Sequence, residues 1–432
     1  MRDRHDPRRV SFHDLAGGAR LVVQPAPAGS RRFAVSYIGP AGSGFDPVGQ
    51  EGLAQLTAEG LLSGTARSDR AGLFRRLDRR GGALTVSTDP EVVHLKLTGP
   101  ADEDQPLMEL LAEVLDLPRF EPGEVRRIQR ELTEAQLRER RIASLRAGVE
   151  LLRRLFPLGH PYRLSGAGTA RSLARIGPSD LRRFHRRQYS GQGAVVVLTH
   201  PGPAPVLARR AAQIFDHWPA DRPPAPPQIP PVRPAAKRPH LIPLLGQSQV
   251  EIRIGAVGPP RGSPLYPACE LANQLLGGRP VLSRLFQVIR EQEGLAYHAS
   301  SHLDAFAWGG YWELQAGTST RNAVRVLRLL ESAVQRISNE PPSLEELHRI
   351  RESAIGEIPL SMETTATAHE WAVEIGRFGL TEAHLLEWPD RIRSVSPAAL
   401  TDAWQRGFDP ARQVTLVAGP LRRLRAAEIE LR

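Results

Sequence analysis

Gly52-Leu-Ala-Gln-Leu-Thr-Ala-Glu-Gly-Leu-Leu-Ser-Gly-Thr65 is the stretch from which the rest of the chain is best read. It predicts an amphipathic helix over about 52–62, closed by a Gly-Thr turn. Gln55 and Glu59 are four residues apart and so share one face, with Ala58 beside them.

On either side the pattern alternates between strand and helix signals. Ala19–Gln24 and Phe33–Ile38 are β-rich and bounded by Gly and Pro, and Asp46-Pro47 with Gly49 makes a turn into the helix. A second helix is expected over 68–80, stopped by Gly81-Gly82. Ala83–Ser87 and Val92–Leu97 follow as a strand pair around Asp89-Pro90. Helical patterns then cover 104–116, 121–155, 178–189 and 203–215, with an apolar strand at Ala194–Leu198.

The chain has 432 residues, 41% hydrophobic and 24% charged, a globular profile long enough for two or three domains. No apolar run approaches the ~18 residues of a membrane span. The opening Met1-Arg-Asp-Arg-His-Asp6 is too polar for a signal peptide, so a cytoplasmic location is expected. Cys269 is the single cysteine, which excludes an internal disulfide and a Cys-based zinc site. The net charge of +10 comes almost wholly from arginine, since Lys96 and Lys237 are the only lysines. The runs Arg75-Arg76, Arg79-Arg80 and Arg138-Glu-Arg-Arg141 lie at helical spacing among leucines. They read as solvated helix faces rather than a nucleic-acid surface, and no aromatic-interleaved binding motif accompanies them. Gly39-Pro-Ala-Gly42 is a turn and not a phosphate loop, because no Lys-Ser/Thr follows.

From Pro219 to Pro243 prolines come every two or three residues, which reads as an extended linker. The halves on either side repeat each other. Ile176-Gly-Pro178-Ser-Asp-Leu181 matches Val395-Ser-Pro397-Ala-Ala-Leu400. Tyr189 and Phe408 each follow eleven residues after the Pro, and valine strands begin at Val195 and Val414. Leu73-Phe74 and Leu285-Phe286 precede Gly82 and Gly294 by the same step, and Ile38-Gly39 pairs with Ile254-Gly255. Two α+β domains from one duplicated unit are the expected architecture.

The opening helix and its frame resemble the signature of the M16 (pitrilysin/insulinase) metallopeptidases, G-L-A-H-x-x-E-H-x-L-x-x-G-T. In that family the two His bind zinc and the Glu activates water. Here Gln55 stands for the first His, Ala58 for the base and Glu59 for the second His. A zinc site wants imidazole or thiolate donors, a Gln amide is a weak ligand, and Ala takes no proton. The helix from Phe120-Glu-Pro-Gly-Glu124 to Arg130-Glu-Leu132 resembles the one bearing the third ligand, which would match Glu131, with Glu124 as its supporting carboxylate. Arg20-Leu-Val-Val, Ala41–Pro47, Gly81–Thr88, Gly159-His-Pro-Tyr162, Leu275–Gly278, Ser283–Phe286 and Arg290–Tyr297 carry the resemblance over nearly the whole chain.

The resemblance implies the M16B arrangement of two homologous LuxS/MPP-like α+β domains, each an antiparallel-rich sheet packed with helices. Residues 1–218 would hold the degenerate zinc site, 219–243 the linker, and 244–432 an Arg/Tyr pair. In two-subunit M16B enzymes one subunit carries the zinc motif, and the other an Arg and a Tyr seven apart that reach the substrate carbonyl. Arg290 and Tyr297 match that pair. An Arg fork and a phenol suit charge developing on a tetrahedral intermediate.

The implied role is a zinc-less subunit of a heterodimeric peptidase, with no cofactor of its own. Zinc would sit in a catalytic M16B partner with an intact His-x-x-Glu-His. The substrate would be a short, flexible peptide lying as an added strand along Ala83, Leu84, Thr85, Val86, Ser87 and Thr88; no nucleic acid or membrane enters. A structural scaffold with no part in proteolysis is the alternative, and retention of Arg290 and Tyr297 argues against it. A hydrolase using Glu59 has little support.

Simpler readings apply to other residues. Glu59, Glu124 and Glu131 would repel one another if close, so pairing with arginine is expected ahead of a bound ion. His369-Glu370-Trp-Ala-Val-Glu374 lacks a second His at the right step and reads as an amphipathic core helix. His160 and His185 read as structural caps or pairs.

Overall fold

The computed structural model describes residues 9–163, 166–218, 227–232, 239–244, 246–408 and 412–420. The opening Met1–Asp6 and much of the Pro-rich stretch lie outside the described residues. The strands are β1 (Ser11–Asp14), β2 (Arg20–Pro25), β3 (Arg32–Gly39), β4 (Gly64–Thr65), β5 (Ser68–Asp69), β6 (Ala83–Thr88), β7 (Val93–Pro100), β8 (Val195–His200), β9 (His240–Pro243), β10 (Gln249–Gly258), β11 (Ala296–Ala305), β12 (Gly310–Ser319) and β13 (Val414–Gly419). The helices are α1 (Leu53–Leu61), α2 (Arg70–Arg79), α3 (Asp104–Asp116), α4 (Pro122–Arg141), α5 (Ala143–Leu155), α6 (Ala170–Leu173), α7 (Pro178–Gln188), α8 (Ala204–Phe215), α9 (Tyr266–Asn273), α10 (Ala323–Asn339), α11 (Leu344–Ser361), α12 (Thr365–Arg377), α13 (Glu382–Ser394) and α14 (Pro397–Gly407).

Two sheets carry the duplication: five strands correspond in order, and β1 adds a sixth at the edge of the first sheet. The first runs β1-β2-β8-β3-β7-β6 and the second β9-β13-β10-β12-β11. β2 pairs β8 in parallel, as β9 pairs β13, and the remaining pairs in each order are antiparallel. The matched Pro178 and Pro397 open α7 and α14 at the first helical positions, where a missing N–H costs nothing.

The chain packs as two compact units. One gathers the described residues of Met1–Gln136, Ser165–Gln228 and Ile358–Leu386, the other those of Leu137–Leu164, Ile229–Glu357 and Glu387–Arg432. They differ from the consecutive blocks 1–218 and 244–432 because each sheet takes a helix from the other half of the chain. The expected single helix over 121–155 is also two helices, broken at Ile142 (φ −93°, ψ 120°). Apolar residues continue at helical spacing through the break, so periodicity alone does not reveal it.

In the first unit, alternate residues of the sheet face opposite ways. Leu21, Val23, Phe33, Val35, Tyr37, Leu95 and Leu97 join a core with Leu53, Leu56 and Leu61 of α1, Leu107 and Leu111 of α3 and Phe215 of α8. Val22, Ile38 and Val197 point the other way, onto Ala372 and Val373 of α12. Burial on both faces explains why β3 is an almost continuous apolar run. A Cβ on Gly376 of α12 would meet Val195 Cγ1 at 2.7 Å, so glycine lets the helix lie close against the sheet.

Under α12 runs a buried polar chain. Thr199 Oγ1 donates to Gln24 Oε1 (2.8 Å), so it accepts from His369 Nδ1 (2.8 Å). His369 Nε2 then accepts from Ser36 Oγ (2.8 Å), whose oxygen accepts from His94 Nε2 (2.8 Å). This hydrogen-bond balance assigns His369 as the neutral Nδ1–H form. The His369–Glu374 stretch is the core helix its sequence indicates.

In the second unit, Ala147, Leu151 and Leu155 of α5 pack on Val414, Leu416 and Ala418 of β13 and Ile242 of β9. Trp312 of β12 meets Trp404 of α14 edge-on, ring centroids 5.0 Å apart. Among the described residues no helix is long and apolar enough to cross a membrane.

His369 gives the first unit an acid sensitivity. Burial, with Lys96 and His94 nearby, holds its pKa well below the ordinary imidazole range. The unfolded chain takes up that proton near pH ~6.5. The neutral imidazole therefore contributes stability above about pH 6.5, and that contribution is lost as the pH falls. Denaturant titrations of His369→Gln should show a dependence on pH shallower than wild type by about 1 kcal/mol between pH ~6 and ~5. Equal slopes would refute the neutral assignment.

Candidate functional site

α1 is set by its first turn. Gly52 adopts φ +96°, a left-handed conformation that glycine takes without strain. Asp46 caps the helix, its carboxylate accepting from the N–H groups of Gly52 and Ala54, both at 2.7 Å. Within α1 only Gln55 and Glu59 are half-buried, and every other residue is buried. The two therefore form the single open stripe, with Ala58 buried beneath them.

The structure brings the expected residues of this stripe and of α4 into one electrostatic cluster. Gln55 Nε2 donates to Glu59 Oε1 at 3.0 Å. On α4, Arg127 lies between the two acids: Nε donates to Glu124 Oε2 at 2.9 Å and Nη1 to Glu131 Oε1 at 2.6 Å. Burial raises the pKa of Glu59; the Gln55 bond opposes this, the Glu131 charge adds to it, and the Arg127 charge opposes it. Arg127 is itself held more firmly protonated by Glu131 and Glu124, which outweigh its own desolvation.

These residues do not fit zinc. No imidazole is present, the Gln55 amide presents its N–H side to Glu59, and a guanidinium already occupies both α4 carboxylates. Ala58 has no atom that takes a proton from water. Among the described residues no group of three His, Cys, Asp or Glu is placed to hold a metal ion. Arg127 provides the positive charge that the acids require.

The strand expected to take a peptide, Ala83–Thr88, is β6, the edge of the first sheet. Ala83, Thr85 and Ser87 are exposed while Leu84 is buried. Among the described residues no strand pairs with the outer side of β6.

Arg290 and Tyr297 belong to the second unit. Arg290 is exposed on the π-helical turn Phe286–Gln292, its guanidinium carbon 5.3 Å from the Phe286 ring centroid. Tyr297 is the second residue of β11 and is 64% exposed. The pairing with β12 slips there: Ala296 faces Thr318 but His298 faces Gly317, leaving Tyr297 as the extra residue of a bulge.

His160 and His185 have structural roles. His160 Nδ1 accepts from Tyr162 N–H at 3.1 Å, and burial lowers its pKa to about 4. His185 Nε2 donates to the Leu115 carbonyl at 2.7 Å. Two contributors escaped the sequence reading. Arg127 was findable, since it stands three residues after Glu124 and four before Glu131. Asp46 was read as part of a turn and is also the cap of α1.

Comparison with known proteins adds the family. A model described as Insulinase (Peptidase family M16) matches residues 31–148, and one described as Peptidase M16 inactive domain matches 175–354. An uncharacterized zinc protease of Mycobacterium bovis is 26% identical over 383 residues, 84% of this chain and 81% of that one. The non-peptidase homolog YmxG of Helicobacter pylori is 22% identical over 331 residues, 76% of this chain and 74% of its own. The crystal structure of a peptidase M16 inactive domain from Pseudomonas fluorescens superposes with a TM-score of 0.89 at 23% identity, covering 95% of this chain and 98% of that one. At that identity the likeness speaks for the fold.

Rebuilding the site tests the part assigned to Arg127. Gln55→His with Glu59→His supplies two imidazoles but leaves Glu131 paired. A partly exposed Arg–carboxylate pair is worth at most about 1 kcal/mol, or roughly fivefold in affinity. Adding Arg127→Ala should therefore tighten zinc binding by about that factor in a competition titration. Equal affinities for the double and triple variants would show that Arg127 does not hold Glu131.

Proposed function

From its membership of the insulinase-type peptidase family M16, to which this chain belongs, we propose that it is the zinc-less subunit of a two-subunit M16B-type peptidase. The observation that carries this reading is the state of α1 and α4. The helix frame is intact, Gln55, Ala58 and Glu59 stand where ligands and base would be, and Arg127 occupies Glu124 and Glu131. The names of the relatives point both ways, one an uncharacterized zinc protease and one a non-peptidase homolog. The chemistry of these side chains favours the second for this chain.

In this reading the partner carries an intact His-x-x-Glu-His, and its zinc supplies the Lewis acid. This chain contributes three things. The open edge of β6 takes a short, flexible peptide as an added strand, fixing its direction through backbone hydrogen bonds. Arg290 and Tyr297, both exposed, offer a guanidinium fork and a phenol to the carbonyl under attack. The remainder forms wall. A purely structural subunit is the competing reading, and the same variants separate the two.

A donor aimed at a developing oxyanion is typically worth roughly 3–4 kcal/mol, or about 100- to 1000-fold in kcat. In a complex co-purified with its M16 partner, Arg290→Ala and Tyr297→Phe should each slow turnover by that order. Assembly and zinc content should stay unchanged. Arg290→Lys should rescue poorly, because a point charge does not reproduce a planar fork. An assembled, zinc-loaded complex that cleaves at the wild-type rate with both substitutions would leave this chain as a scaffold.

A further inference from the structure

We infer that His298 is a positioning residue: it clamps the β11 bulge that presents Tyr297, by reaching across Gly317 of β12 to Glu251 of β10. The inference rests on the role proposed for Tyr297, and it stands on a register that can be followed residue by residue. Glu251 pairs with Gly317, and Gly317 pairs with His298. The three lie in line across three adjacent strands, with no side chain on the middle one. His298 Nε2 lies 3.4 Å from Glu251 Oε2. A Cβ on residue 317 would come within 2.3 Å of His298 Cε1 and 2.7 Å of Nδ1, so the ring occupies the space that glycine leaves.

Glu251 is itself held. It is buried, with Arg253 beside it on β10. Arg253 Nη1 donates to Glu313 Oε2 of β12 at 2.6 Å, and Nη2 to the Ser144 carbonyl of α5 at 2.9 Å. The far side of the bulge is pinned as well, since Thr318 Oγ1 donates to the Leu295 carbonyl at 2.5 Å. Both flanks of Tyr297 are thus tied to the sheet, while Tyr297 stands out from it as the unpaired extra residue. Bulges re-aim side chains, and one held at both ends aims its side chain in one direction. The groups facing the His298 ring are Glu251, which favours its charged form, and Arg253, which opposes it. The balance raises the His298 pKa, so the contact is complete at low pH and lost as the pH rises through that titration.

The test uses the zinc-loaded complex and the full chain. His298→Ala should lower kcat by roughly 10- to 100-fold with little change in KM, the order expected when a catalytic group is misplaced by about 1 Å. His298→Gln keeps an N–H donor and should retain most of the activity, while losing the alkaline limb that His298 contributes. Gly317→Ala leaves His298 in place but displaces its ring, and should match His298→Ala. On a Tyr297→Phe background His298→Ala should cost nothing further, because both changes remove one interaction. Hydrogen exchange of peptides covering 295–299 should be faster in His298→Ala and Gly317→Ala, with or without the partner. If Tyr297→Phe slows the complex but His298→Ala does not, or if the two losses multiply, the positioning role is overturned and the proposed function stands. If Tyr297→Phe turns over normally, the proposed role of Tyr297 falls, and with it the catalytic meaning of the clamp. Unchanged exchange in both His298→Ala and Gly317→Ala overturns the clamp itself.

Discussion

Both sheets must be covered on two faces, and that constraint organises the fold. Strands such as β3 and β10 are buried in nearly every residue, so both of their faces are closed to water, and where β10 carries Glu251 and Arg253 those charges are buried together. The half-chain that builds each sheet supplies helices for one face. The other face is closed by an amphipathic helix drawn from the opposite half: α12 on the first sheet, α5 on the second. The duplicated unit is therefore not a self-sufficient folding block. The His94–Ser36–His369–Thr199–Gln24 chain lies at one such closure and links each of these side chains to the next by a hydrogen bond, with none of their buried polar atoms left unsatisfied. Satisfied buried networks of this kind restrict how a helix can dock, because a shifted helix would strand several donors at once.

The carboxylates of α1 and α4 illustrate a second constraint. Glu124 and Glu131 share Arg127 on α4, and the charges of Glu131 and Arg127 both act on Glu59 of α1. Like charges there demand compensation, and the chain supplies it covalently through Arg127. A guanidinium suits the task better than an ammonium. Its planar fork engages two carboxylates at once and stays charged at any relevant pH. The half-buried Glu59 is bonded to Gln55 and not to Arg127, and its pKa is raised chiefly by burial, with the Glu131 charge adding to it. A site built around a cation can lose its metal ligands without collapse, provided another positive charge takes the position.

Much of this was legible in the sequence. The repeat anchored on Pro178/Pro397 and Gly82/Gly294 anticipates two related sheets, the helix over 52–62, the strand at Ala83–Ser87 and the core role of the His369 helix follow from local pattern, and the choice of Ala83–Thr88 as an edge rests on the family resemblance. The failures share one physical cause: they depend on contacts remote in sequence. Nothing near Ile142 marks a break, because the apolar spacing continues on both sides. The helix turns there since α5 finds its sheet more than 90 residues downstream, at β10 and β13. The exchange of α5 and α12 is invisible to any reading that assigns a helix to its nearest strands. Arg127 was within reach of i,i+3 and i,i+4 arithmetic. The bulge at Tyr297 was not, since register is a property of two strands.

The duplication also shows how little change separates a regular edge strand from one that turns a side chain outward on a bulge. Counting from the matched glycines, Thr85 and Tyr297 occupy the same place, three residues after Gly82 and Gly294. Thr85 sits in unbroken antiparallel register opposite Lys96, within an edge strand that pairs regularly along its length. Tyr297 sits in the equivalent strand, where one extra residue interrupts the ladder between Ala296 and His298. An insertion of one residue would ordinarily reverse the faces of everything beyond it. Here the bulge absorbs it, and pairing resumes from His298 to Ala305 opposite Gly317 to Gly310. The cost of the irregularity falls on a site where Gly317 leaves room for His298 and where Glu251 and Thr318 hold the flanks. The same edge position that carries a regularly paired Thr85 in the first sheet thus carries an exposed tyrosine on a bulge in the second.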